Sequence, residues 1–318
     1  MEFIYISLAV ALVLLVLHIV MVKISLNREV RLLVIISALV GYTYWGIEPY
    51  AHHIMHPEVA EADFTFKDLK NVDTSLKGNA ENGKVLVEAN CIACHSIESA
   101  GHPQIMPNAD AAASYGVVPP DLSGAGWIYD KNYLANFIFD PVSAMKLQHK
   151  YTPESGKQFP MPAYNWMSAQ EIMHIVAYFQ TLAPKAKAGA EAHKNTYEAA
   201  CGRCHSMKYA GFEATTPVEN IKAYMGATPP DLSQYIKSRG EHYLYSFIND
   251  PQVLLHGTSM PRTGLNQKAQ EEVIAYMEEI GDRKKAEREA TGVWVMIYTF
   301  VFAILALLWK RKIWSEVH

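Results

Sequence analysis

A repeat with a fixed spacing of 110 residues is the strongest constraint on how this 318-residue chain can fold. Two Cys-x-x-Cys-His pentads, at 91–95 and 201–205, contain all four cysteines of the chain. Three further pairs of segments keep the same spacing: Pro-Pro-Asp-Leu-Ser at 119–123 and 229–233, Tyr-Leu at 133–134 and 243–244, and Asp-Pro at 140–141 and 250–251. Chance does not keep one offset through four separated motifs, so the sequence predicts two copies of one module.

Each pentad has the spacing of a covalent attachment site for c-type haem. The attachment thiols would be those of Cys91 and Cys94 in the first pentad and of Cys201 and Cys204 in the second. His95 and His205 would each ligate the iron of their own haem. A zinc site would need further ligands at matched spacing, and a redox dithiol has no use for the trailing histidine. The sequence therefore predicts two covalently bound haem c groups.

The second axial ligand of each iron should be a residue that recurs in both copies, downstream of the Asp-Pro pair. Met161 and Met260, each followed by proline, lie 66 and 55 residues beyond their own histidines, just before a predicted helix. A thioether is a soft ligand, and Met/His ligation raises the haem potential. Four other methionines fit less well by spacing or lack a counterpart, namely Met106, Met145, Met167 and Met173. The alternative histidine ligands are His149, His174 and His256.

The two Pro-Pro pairs, Pro119-Pro120 and Pro229-Pro230, hold the chain extended and leave a carbonyl unpaired. Such a carbonyl can accept the Nδ1–H of the axial histidine and so orient its ring. A plain loop is the alternative interpretation. Arg239 is a candidate partner for a haem propionate, and a solvated arginine is the alternative at that position.

Three uncharged apolar runs, at 3–22, 32–47 and 293–309, predict membrane helices, with buried core helices as the alternative. Basic residues lie between the first two runs and directly after the third, which places both clusters in the cytoplasm. The rest of the chain then lies on the opposite side, which is the periplasm of a bacterium and the side where haem c is attached. The first run follows an acidic Met1-Glu2 and no small-residue cleavage site follows it, so we expect it to be retained.

The sequence shows no long strand pattern, and we predict an all-α fold of two tandem cytochrome c modules. The predicted domains are an N-terminal transmembrane hairpin at 1–50, modules at 51–186 and 187–287, and a C-terminal anchor with a basic tail at 288–318. Each module should end in an amphipathic helix, the first of them opened by a capping box from Ser168 to Glu171. Gly83 should permit close backbone approach near the first pentad. The net charge is −4, and segments 1–47 and 293–318 contain six Lys/Arg and three Asp/Glu, which leaves −7 outside the membrane. This acidic surface suits a basic soluble electron carrier, ordinary solubility explains the same charge, and nothing indicates nucleic-acid binding.

The stretch from Gly226 to Arg239, with Tyr243 and Phe247 after it, resembles the cytochrome c₁ family, the c-type subunit of the cytochrome bc complex, quinol:cytochrome c reductase. Members of that family carry a similar Pro-Pro-Asp-Leu-Ser segment and end in one membrane helix with a basic tail. Single-haem members have one module and no N-terminal hairpin, so this chain is similar to a two-haem version.

The resemblance implies a subunit of the respiratory chain in the bacterial inner membrane, with cytochrome b and Rieske iron–sulfur subunits as partners. Electrons would come from the Rieske centre and leave to a soluble cytochrome c or a terminal oxidase. The chain would make no bonds of its own, so we expect no catalytic residue. Two alternatives remain: the two-haem electron-entry subunit of a cbb-type cytochrome oxidase, and a free membrane-bound electron carrier.

Overall fold

Helices make up nearly all the regular structure in the described part of the chain. The computed structural model describes residues 2–55, 59, 61–182 and 189–317. These residues form no β-strand, and only three isolated β-bridges occur among them. The chain divides into two units, 1–60 and 61–318. The all-α prediction is therefore confirmed for the described residues, whereas the predicted boundary between the modules, at 186–187, lies outside them.

The first unit consists of three helices, α1 (Glu2–Lys23), α2 (Arg28–Tyr42) and α3 (Glu48–Met55). A π-helical turn, Thr43–Ile47, joins α2 to α3. The two therefore form one continuous helix from Arg28 to Met55. By length and composition this helix could cross a membrane, and the described part of α1 from Val10 to Lys23 is a shorter apolar helix. The second predicted run is thus part of a longer helix, because its aromatic end continues through the π turn.

Two sets of six helices form most of the second unit. The first helix set is α4 (Ala80–Asn90), α5 (Asn108–Tyr115), α6 (Ala125–Ile128), α7 (Lys131–Phe139), α8 (Pro141–Ala144) and α9 (Ala169–Leu182). The second helix set is α10 (Ala190–Ala200), α11 (Val218–Met225), α12 (Tyr235–Arg239), α13 (Glu241–Asn249), α14 (Pro251–Leu254) and α15 (Gln267–Gly281). Each helix from α10 to α14 begins 110 residues after its counterpart, so the sequence repeat is also a repeat of structure.

Each set is built around its last helix. In the first set α9 packs on α4, and it buries Ile172, Ile175, Val176 and Phe179, which recur at the spacing of one helix face. The predicted capping box opens this helix, since the Glu171 carboxylate accepts the Ser168 N–H at 2.8 Å and the Ser168 hydroxyl accepts the Glu171 N–H at 3.3 Å. In the second set α15 packs on α10, and its apolar face is completed by Val273, Ile274 and Met277.

The helix α16 (Lys285–Val317) follows the second set and is the second described helix that is long and apolar enough to span a membrane. It begins before the predicted apolar run at 293–309, because the charged segment in front of that run is also helical. Asp282 connects the two parts: its carboxylate accepts two hydrogen bonds from the Arg288 guanidinium, at 2.7 and 2.8 Å. The end of α15 is thereby tied to the start of α16.

Candidate haem-binding sites

Both pentads form the same tight turn at the end of a helix. α4 ends at Asn90, and the N–H groups of Cys94 and His95 then donate to the Cys91 carbonyl at 3.1 and 3.0 Å. After α10, Cys204 and His205 donate to the Cys201 carbonyl at the same two distances. All four thiols are free. The turn thus places two thiols and an imidazole within one pentad, which is the donor set that a covalently attached haem requires.

The structure places each pentad histidine against the Pro-Pro segment of its own helix set. Nδ1 of His95 lies 2.9 Å from the Pro120 carbonyl oxygen, and Nδ1 of His205 lies 2.9 Å from the Pro230 carbonyl oxygen. A carbonyl can only accept, so Nδ1 carries the proton and donates it. Nε2 is then the unprotonated nitrogen and can ligate iron.

The residues after each Pro-Pro pair hold that carbonyl in place. The Leu122 N–H donates to the Ser96 carbonyl at 2.9 Å, and the Asp121 carboxylate accepts the Glu98 N–H at 3.0 Å. In the second set the Leu232 N–H donates to the Ser206 carbonyl at 3.0 Å, and the Asp231 carboxylate accepts the Lys208 backbone N–H at 2.9 Å. Burial would raise the pKa of both aspartates, but their N–H and O–H donors outweigh it and lower the pKa. Both carboxylates are therefore ionised acceptors at neutral pH.

The thiol pKa values, and the lack of a metal-ligand cluster among the described residues, favour haem attachment over a redox dithiol or a zinc site. Burial raises the pKa of the Cys91 and Cys201 thiols to about 12, and the second cysteine of each pentad adds to the shift. A reactive redox dithiol requires the opposite shift. The described residues also contain no group of three or more His, Cys, Asp and Glu side chains that could hold a metal ion. Burial lowers the pKa of His95 and His205 as well, which keeps the imidazoles neutral as ligation requires.

The predicted methionine ligands lie in comparable places. Met161 and Met260 are both half-buried and precede the last helix of their own set. Their ligation of iron stays a prediction. Most rivals have other structural roles, because Met145, Met167 and Met173 are buried at 6, 3 and 1% exposure. Nδ1 of His174 accepts the Asn79 N–H at 2.8 Å, whereas His149 and His256 are exposed.

Arg239, the predicted propionate partner, is exposed at the end of α12, and its guanidinium lies 5.6 Å from the centre of the Tyr243 ring. Sequence reasoning missed two features around the first pentad. The Tyr115 hydroxyl lies 3.8 Å from the Cys94 sulfur. Beside it an open groove of about 520 Å³ is lined from both helix sets, by residues that include Tyr115, Gly116, Asn220 and Tyr224. No local sequence signal could have revealed this groove, because its two walls are more than 100 residues apart.

Sequence reasoning also missed Arg203, which lies inside the second pentad. Its Nε is buried and has no hydrogen-bond partner among the described residues. The signal for it is in the repeat: the matching residue of the first pentad is Ala93, so the two pentads differ by one cation.

Comparison with known proteins identifies part of this arrangement. Residues 80–183, which run from α4 to the end of α9, match the cytochrome c family. A solved structure described as a hyperthermophilic respiratory complex III is 24% identical over 42% of this chain and 79% of its own, with a TM-score of 0.34. No curated protein matches the chain. The first helix set is therefore a cytochrome c domain, which implies covalently bound haem c and a role in electron transfer.

Proposed function

We propose that this chain is a membrane-anchored two-haem cytochrome that carries electrons as a subunit of quinol:cytochrome c reductase. One observation carries the proposal: the contacts around the first pentad, inside the cytochrome c domain, recur around the second pentad, outside it. The recurring contacts are the pentad turn, the His–Pro pair, the Asp–amide pair and the bridge after the pentad, Ile97 to His102 in one set and Met207 to Phe212 in the other.

The chain's own residues would bind and orient the two haems. Cys91 and Cys94 would attach the first, and Cys201 and Cys204 the second. His95 and His205, held by the prolyl carbonyls, would ligate the irons with Met161 and Met260 opposite them. When bound, each haem supplies a centre that takes up and releases one electron. The protein contributes position, ligand identity and the exclusion of water, and no residue catalyses a bond-making step on a substrate.

The membrane anchors and the partners follow from the sequence and from the course of the helices. Basic residues beside α1, α2 and α16 support three membrane helices with the haem modules on the periplasmic side of a bacterial inner membrane. The resemblance of residues 226–239 to cytochrome c₁ supports a Rieske iron–sulfur subunit as electron donor, cytochrome b as neighbour, and a soluble cytochrome c or oxidase as acceptor. A membrane-length apolar helix that follows the second helix set, α16, favours this assignment over a cbb-type oxidase subunit, a family not expected to have a membrane helix after its haem modules.

Haem counting in paired variants tests the two-haem proposal. The purified chain should carry two haems that stay attached through acid–acetone extraction. C91A/C94A and its matched variant C201A/C204A should each keep one. A wild-type chain with a single haem, or with haem that extracts, would overturn the proposal.

Composition after mild solubilisation tests the complex. We expect a Rieske protein and a di-haem cytochrome b to co-purify with the chain. Co-purification with a copper–haem oxidase core would support the cbb-type alternative, and recovery of the chain alone would support a free carrier.

A further inference from the structure

Arg203 is placed at the contact between the two helix sets. The Thr216 N–H donates to the Arg203 carbonyl at 3.2 Å, and the Thr216 hydroxyl accepts the Val118 N–H at 3.1 Å. Thr216 is fully buried and Val118 is 5% exposed, so this contact is shielded from solvent. Val118 directly precedes Pro119-Pro120, and the Pro120 carbonyl accepts from His95. A short hydrogen-bonded path therefore leads from the second pentad to the axial histidine of the first.

The guanidinium of Arg203 has no anion beside it in the described structure. Its Nε is buried without an acceptor, and none of the ion pairs among the described residues includes it. A buried donor that stays unpaired destabilises the folded chain, and a charged donor does so more strongly. Arginine prefers carboxylates, which match its planar set of donors. A carboxylate brought by a bound group would complete the site.

The charge of Arg203 acts on the first helix set as well as on its own pentad. Burial raises the pKa of Tyr129 and Tyr133, and the Arg203 cation opposes that shift. The first pentad has Ala93 at the matching position, so no cation reaches back from that position toward the second site.

We propose that Arg203 binds a propionate carboxylate of the haem attached to Cys91 and Cys94, so that the second pentad supplies a cation to the haem of the first module. The inference rests on the proposed two-haem function. A fixed cation favours the reduced form, which carries one more electron, so Arg203 raises the potential of the first haem relative to the second. Residue 93 is alanine and residue 203 is arginine, and this difference gives two otherwise similar sites different reduction potentials.

Redox titration of the full-length, two-haem chain tests this inference. The Arg203 cation interacts more favourably with the reduced haem than with the oxidised haem, so R203Q should lower the reduction equilibrium constant of the first haem about tenfold, a shift of about 59 mV for one electron. R203K keeps the charge but loses the planar pair of donors, and it should recover part of the shift. Lys222→Gln is the matched control, since it removes an exposed cation from the same helix set and should leave both potentials unchanged. A Met161→His background identifies which signal belongs to the first haem.

Resonance Raman bands of the haem propionates give a second measurement that charge alone does not move. Both Arg203 variants should shift the propionate band of the first haem, and R203K serves if R203Q assembles poorly. Unchanged first-haem potential and bands in a chain with two haems would overturn this inference alone, as would a shift confined to the second haem. A wild-type chain with only one haem would instead overturn the proposed function.

Discussion

At each pentad a single backbone carbonyl orients the ring of the histidine that is the predicted axial ligand. The Pro120 and Pro230 oxygens lie 2.9 Å from the imidazole Nδ1 atoms. The accepted proton fixes the tautomer and the ring orientation, and it makes Nε2 a more basic ligand. The aspartate that follows each Pro-Pro pair accepts the backbone N–H three residues beyond the histidine, so ring and carbonyl are held as one unit.

Replacement of the predicted methionine ligands tests the other side of each iron. M161H and M260H should each keep a six-coordinate, low-spin haem, because imidazole also ligates iron. The potential of the affected haem should fall by a sizeable part of the ~0.8 V range that axial ligands span, because Met/His ligation raises it. Potentiometric titration with optical detection measures this change. M173H is the control, because Met173 lies in the buried core, and in this variant neither haem should gain a second histidine ligand. Unchanged potentials of both haems in either variant would point to another ligand.

Two helix pairs that are equivalent in the repeat pack differently. In the first set a Cβ on Gly83 would lie 1.9 Å from the His174 carbonyl oxygen, so the helices α4 and α9 touch backbone to backbone. This confirms the predicted close approach. In the second set the matching residue is His193, whose Nδ1 lies 2.7 Å from the Glu279 carboxylate. A glycine contact in one set is thus replaced by a polar side-chain contact in the other.

Gly83→Ala should destabilise the first helix set. Alanine in place of glycine within a helix normally stabilises by about 1 kcal/mol. Here the methyl group would force α4 away from α9, and overpacking of this kind costs about 1–3 kcal/mol, so the free energy of unfolding should fall. Urea unfolding followed by circular dichroism measures it. Gly124→Ala is the matched control, because a Cβ there meets nothing within 4 Å and should change stability little. A stabilised G83A variant would contradict the close packing.

The junction between α15 and α16 should loosen in acid. Hydrogen bonds from Arg288, and then Lys237, lower the pKa of Asp282 to about 2, from 3.8. A depressed carboxyl pKa stabilises the junction fully above pH 3.8, and the stabilisation is lost as the pH falls through about 2. Amide hydrogen exchange at 285–290, corrected for intrinsic rates, should show protection that disappears over this window. In D282N the protection should be weak at every pH; protection equal to wild type at pH 6 would show that the ion pairs do not hold the junction.

Across the second unit, the two helix sets are joined through the segment that carries the predicted Met260 ligand. Arg262 is 3% exposed, and both its backbone groups bind the first set: its N–H donates to the Met145 carbonyl at 3.1 Å and its carbonyl accepts the Tyr133 hydroxyl at 2.8 Å. Its guanidinium binds the Asp68 carboxylate through two hydrogen bonds of 2.6 Å and lies 4.9 Å from the centre of the Phe66 ring. The position of Met260 therefore depends on contacts with the other set.

The two partners of this ion pair should differ in their mutational cost. The Arg262 side chain is 4% exposed, whereas that of Asp68 is 50% exposed. Asp68→Ala leaves a buried cation unpaired and should cost about 3 kcal/mol. Arg262→Met leaves a carboxylate that water reaches and should cost about 1 kcal/mol. Urea unfolding midpoints of the haem-loaded chain measure both, with Asp73→Ala as an exposed control. Equal costs, or a larger cost for R262M, would contradict the burial of the guanidinium.

The sequence by itself determined what depends on local spacing. The pentads, the Pro-Pro-Asp-Leu-Ser loops and the amphipathic period of α9 are short-range patterns, and the 110-residue repeat carries the pentads and the loops from one helix set to the other. Tertiary structure alone decided how the two sets meet. The contacts of Thr216 with Val118, of Arg262 with Asp68 and of Gly264 with Asp130 join residues far apart in the chain, and none belongs to a periodic pattern. Their formation depends on the shapes of two folded surfaces, so the burial of the Arg203 Nε emerges only once both sets are packed together.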